Sequence, residues 1–173
     1  MRKKLPGWGR ASLHEHVEDL FRDIGVHVRW LETFPENDRT SRPVAVRIVL
    51  VPLSGEGWRL PRNVMGVVMD KSQRTRTLYV FLPSVLHSIG DETGTETMLR
   101  DPRRVRDLAR GLARVVTHEV VHAIDPEIPH STTDSIMRDH LTAELLRRDD
   151  LGFSGSTVSR LVAAIARTNV LPP

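Results

Sequence analysis

The chain contains no cysteine, which removes a disulfide framework and any thiolate metal site and leaves stability to a packed core. No apolar run approaches the roughly 18 residues of a membrane-spanning helix, so no membrane partner is expected. Met1-Arg2-Lys3-Lys4 carries the charge of a signal peptide, but Pro6-Gly7-Trp8-Gly9-Arg10 stands where an apolar stretch would follow, and a cytoplasmic location is the expectation. Aromatic residues make up 5% of the chain, and lysine supplies only three of its 25 cationic residues. The excess of arginine at 100–114 therefore has no aromatic interleaving to stack bases. It reads as the solvated outer face of a helix, with no nucleic-acid partner. Repeats and low-complexity segments are absent too, and 173 residues with a net charge of +3 fit one domain able to bury about 70% of its unfolded surface.

What the chain does have is His118-Glu119-Val120-Val121-His122. Residues four apart on an α-helix differ by about 40° around the axis and one turn along it, so the two imidazoles can share an ion. Glu119 then stands beside the open position of that ion, placed for general acid/base work. The expectation is a zinc hydrolase; the competing reading is a surface helix with two exposed histidines and a solvated glutamate.

The surrounding sequence supplies the helix. Asp101 can cap it and Pro102 is tolerated at its first position. Val105, Leu108, Leu112, Val115 and Val116 recur at spacings of three and four as an apolar stripe, while Arg103, Arg104, Arg106, Arg110 and Arg114 fall mostly off it. Asp125-Pro126 predicts an end near Ala123 or Ile124, because a residue before proline is pushed out of the α region.

Beyond that stop, Asp125-Pro126-Glu127-Ile128-Pro129 is a stiff loop leading to His130-Ser131 and then Ile136-Met137. Two histidines on a helix, a chain reversal, a third His followed by Ser, and a nearby Met resemble the metzincin clan of zinc endopeptidases. Metzincins usually have Gly three residues after the second His and the third His six after it; here Asp125 and a His eight after it stand instead. The segments His130-Ser131, Ile136-Met137-Arg138 and Leu151-Gly152-Phe153-Ser154 are similar to uncharacterised bacterial metzincin-like proteins with the longer spacing. The likeness is best over 108–154.

The resemblance implies a single α+β catalytic domain of the zincin type. A mixed twisted sheet, an N-terminal helix and the long active-site helix would form an upper subdomain (1–124), and a small helical lower subdomain (125–173) would carry the third ligand and the C-terminal helices. It implies His118, His122 and His130 as zinc ligands, Glu119 as general base and Met137 as the Met-turn residue beneath the metal. The implied activity is hydrolysis of peptide bonds in a peptide or protein substrate through a zinc-activated water. Metzincins often add a Tyr near that turn, but the single tyrosine is Tyr79, which leaves Arg138, His140 or a backbone N–H. Other zincin clans take the third ligand from a Glu on a following helix, so Glu144 keeps a gluzincin-type peptidase open, and Asp125 is a further candidate. A zinc-binding regulatory or interaction module without cleavage is the remaining alternative, against which Glu119 counts.

Elsewhere, residues 1–10 read as a loose arm and Ser12 to Gly25 as a helix with Leu13, Val17, Leu20, Phe21 and Ile24 on its apolar face. His14 and His16 lie two apart on it, share no face, and read as exposed. Strands are expected over Val26 to Leu31, Val44 to Leu53, Asn63 to Met69 and Thr75 to Leu82, with a polar loop over Thr33 to Pro43 and a turn over Asp70 to Arg74. Leu78-Tyr79-Val80-Phe81, the last strand before the helix, is a candidate substrate-binding edge by analogy with such peptidases, or an ordinary core strand. Helices are expected over Asp139 to Arg148 and over Ser156 to Thr168, the latter burying Leu161, Val162 and Ile165. His87 and His140 read as plain surface or packing histidines.

Overall fold

Helix α3 of the structure, Pro102–Ile124, touches every other described element, and its sequence explains why. Asp101 accepts a hydrogen bond from the Arg103 N–H at 2.9 Å, Pro102 follows, and Asp125 ends the helix with its N–H on the Val121 carbonyl. The apolar stripe is buried as expected, but burial goes further: every residue from Gly111 to His118 is buried, Arg114 among them. Over that stretch the helix is covered all round, as a core element is, while its first turns keep Pro102, Arg103, Arg106 and Asp107 exposed.

The structure is a computed structural model and describes residues 7–32, 45–52, 59–61, 63–69, 75–91 and 100–169. The elements are α1 (Gly7–Arg22), β1 (Ala45–Val51), β2 (Gly66–Met69), β3 (Thr75–Phe81), α2 (Leu82–Ser88), α3, α4 (Ala143–Arg147) and α5 (Gly155–Asn169). This is an α+β arrangement built on a three-stranded mixed sheet of order β1-β3-β2. β1 runs parallel to β3, with Ile48 opposite Leu78, and β2 runs antiparallel to it, with Gly66 opposite Val80. α3 packs on the sheet and on α1, and one apolar cluster runs from Leu13 and Phe21 through Leu78, Val80 and Leu112 to Ile136, Leu146 and Leu161. Among the described residues no helix is long and apolar enough to cross a membrane.

Several expectations need correction. α1 begins at Gly7 rather than Ser12, because Gly9, Leu13 and Val17 continue one buried face towards α3, and packing extends a helix that local propensity would not. It ends at Arg22 rather than at the expected Gly25, in a turn where Gly25 has φ 76° and the Val26 N–H reaches back to the Phe21 carbonyl at 2.9 Å, a left-handed cap that favours glycine. The alternation of Val26 to Leu31 is real in burial, with Val26, Val28 and Trp30 packed on the core, but no strand forms there. Period-two burial reports a covered face and does not supply a hydrogen-bonding partner. His14 and His16 are half-buried rather than exposed; His14 stacks on Trp30 at 3.8 Å between ring centroids.

The helix expected over Asp139 to Arg148 shrinks to α4, capped by Thr142. In α5, Leu161 is buried, Ile165 is half-buried, and Val162 is 43% exposed, on the outer face. Leu78-Tyr79-Val80-Phe81 is no edge strand: β3 is paired on both sides, and Leu78, Val80 and Phe81 are fully buried. The loop of 33–43 and the turn of 70–74 lie outside the described residues.

Candidate metal centre

The last two turns of α3 present His118, Glu119 and His122, and the chain then reverses. Asp125 makes the reversal specific: its carboxylate accepts the Glu127 N–H at 3.0 Å and its carbonyl accepts the Ile128 N–H at 3.2 Å. Ile128 is buried, and α5 holds the loop from outside, with Arg160 on the Glu127 carbonyl at 2.8 Å and Arg167 3.7 Å from Asp125. This anchored loop delivers His130 to the helix. His130 Nε2 lies 3.0 Å from His122 Nε2.

His118, His122 and His130 each offer a ring nitrogen, and these atoms all lie within 4.8 Å of one another. A tetrahedral zinc with bonds of about 2.0–2.1 Å needs nitrogens about 3.4 Å apart, so these three are close enough to share one metal ion after small side-chain shifts, and they offer the donor chemistry of a three-histidine site. Among the described residues no other group of three potential ligands converges in this way.

Each imidazole must also turn the right nitrogen inward. His118 Nδ1 is 2.8 Å from the Ile136 carbonyl, which accepts its proton and leaves Nε2 with a lone pair. His118 is only 8% exposed, and burial above all lowers its pKa from 6.5, with the nearby His130 acting in the same direction and the Ile136 carbonyl opposing. The ring is thus neutral at neutral pH, the form a metal binds. His130 Nδ1 lies 3.3 Å from Asp139 Oδ1, whose other oxygen is 3.5 Å from His140 Nε2.

Met137 is fully buried in the turn that follows. Its carbonyl accepts the Ser131 N–H at 2.6 Å, and the Ile136 N–H binds the Gly152 carbonyl at 2.9 Å. The segment after His130 is thereby tied to the turn whose Ile136 carbonyl holds His118. Glu119 is half-buried and lies against β2 at Gly66.

Other candidates fall elsewhere. Glu144 is exposed at the start of α4 and Asp125 is engaged in the loop, so neither joins the histidines. Arg138 pairs with Asp134, and His87 and His140 are exposed. Sequence reasoning missed Asp139 and Gly66. An isolated glycine inside a strand pattern was the available signal for the second; nothing marked Asp139 out. Set against known protein families, curated proteins and solved structures, the chain matches none of them.

Proposed function

We propose that this chain is a zinc-dependent metallopeptidase of metzincin type, with His118, His122 and His130 as metal ligands, Glu119 as general base and Met137 in the turn beneath the site. The observation that carries the reading is the convergence of the three imidazoles, with the far nitrogen of His118 held by the Ile136 carbonyl. A zinc held by these three imidazoles would supply a Lewis acid for the scissile carbonyl and would bring the pKa of a bound water towards about 7. Glu119, next to His118 on the helix, takes the proton of the attacking water and passes it to the leaving amine. The substrate edge moves from β3 to β2, the outer strand that runs past Glu119. No described strand pairs with its far side, so an extended peptide can add there by backbone hydrogen bonds.

A peptide-library cleavage assay on the wild type and Glu119→Ala tests the reading. The wild type cleaves, and the variant keeps its zinc and melting temperature but loses about 10²- to 10⁴-fold in rate. Loss of zinc from Glu119→Ala would contradict the role of base. A zinc-loaded wild type that cuts nothing would leave the non-cleaving interaction module as the better account.

A further inference from the structure

We propose that Gly66 is a positioning residue for Glu119, present because any side chain there would drive the glutamate from the place it occupies. The assignment of Glu119 as general base rests on the function proposed above; the steric claim does not. Gly66 opens β2 opposite Val80 and is followed by Val67 and Val68, in a strand where a β-branched or aromatic residue is favoured and glycine weakens the structure. Its backbone gives no reason for glycine: among the described glycines only Gly25 and Gly90 have positive φ.

The reason lies across the strand. A Cβ on Gly66 would stand 2.7 Å from Glu119 Cγ, 3.1 Å from Cδ and 3.0 Å from Oε1, closer than carbon atoms approach without repulsion. The nearest clash is with Cγ, only two bonds from the backbone, so a small swing of the carboxylate end does not relieve it. Helix α3 cannot retreat either, because Thr117, His118 and Val121 around Glu119 are buried. What gives way is the Glu119 rotamer. The glutamate is therefore held between a fixed helix and a strand thinned by one side chain, and β2 brings its outer edge close to the base.

A double-mutant cycle on melting temperature, with zinc content measured in every variant, tests this. Gly66→Ala alone lowers the melting temperature by about 2–4 °C or more. In a Glu119→Ala background the same substitution costs nothing and slightly raises it, because alanine restricts the unfolded chain more than glycine does. If Gly66→Ala fails to fold while the double variant folds, the coupling is shown the same way. Zinc content stays at the wild-type level, and on a cleaved peptide Gly66→Ala loses at least about 10-fold in kcat with KM nearly unchanged, the mark of a transition-state contact. An equal change in melting temperature in both backgrounds would overturn the proposal, as would a Gly66→Ala variant with full kcat. A wild type without peptidase activity would end the peptidase reading alone, since the stability cycle reads the Gly66 contact without a substrate.

Discussion

His118 and His130 each have an oxygen at the nitrogen that faces away from the site, the Ile136 carbonyl for His118 and the Asp139 carboxylate for His130. Such partners fix the tautomer and ring orientation of a ligand, and their loss typically lowers metal affinity about 10- to 100-fold. Asp139→Ala is expected to weaken zinc binding by that factor in a competition titration. His140→Ala, on the other oxygen of Asp139 and exposed, should stay within about twofold. Asp139 is itself exposed, so the melting temperature of the metal-free protein should hardly move; equal zinc affinity in Asp139→Ala and wild type would remove Asp139 from the site. At this scale the sequence made legible what helix periodicity carries. The i, i+4 histidines and the glutamate between them need only 3.6 residues per turn. His130 came only through the metzincin resemblance, Gly66 left only the signal of a lone glycine in a strand pattern, and the Ile136 carbonyl depends on how the turn after His130 closes onto the helix, which no local spacing encodes.

Helix α3 shows where element-level reading succeeds and where it stops. Its cap, its proline and its end at Asp125 were legible because each is local chemistry. Arg114 was not, because its partner lies on another element. The guanidinium is buried, donates to the Leu146 carbonyl at 2.6 Å, and has its pKa lowered to about 10, chiefly by burial. Arg110 lies 3.2 Å from Asp149, and Arg147 reaches the Ile89 carbonyl. Arg110 and Arg114 of the arginine-rich stretch thus join α3 to α4 and the residues just after it, and do not form a free cationic face, while Arg147 ties α4 to the end of α2. Arg114→Ala should destabilise the protein by about 1–3 kcal/mol, the cost of a buried acceptor left unpaired. Exposed Arg103→Ala should change it by under about 0.5 kcal/mol. Urea unfolding of both variants checks the contrast, and equal effects would mean that Arg114 is solvated after all. The three sheet strands were legible from their β-branched runs, but strand order was not, since pairing order depends on long-range contacts; hence β3 lies in the centre.

For the whole molecule, half-buried imidazoles make stability depend on pH. Burial is the largest influence lowering the pKa of both His14 and His16 from 6.5. Between the lowered folded value and 6.5 the unfolded chain binds more protons, so the contribution of these residues to stability is complete above about 6.5 and is lost as pH falls through the folded values. Metal-free protein should show a falling melting temperature below about pH 6.5, and a His14→Gln, His16→Gln variant a flatter profile; identical profiles would show that these rings are not the source. The claim on which the account turns is that three histidines brought together by α3 and the Asp125 to His130 loop hold one zinc. Elemental analysis of purified wild type, His118→Ala, His122→Ala, His130→Ala and Glu144→Gln tests it most directly. The account predicts one zinc per chain in the wild type and in Glu144→Gln, and loss of zinc from each histidine variant. Full zinc in His130→Ala, or its loss from Glu144→Gln, would contradict it.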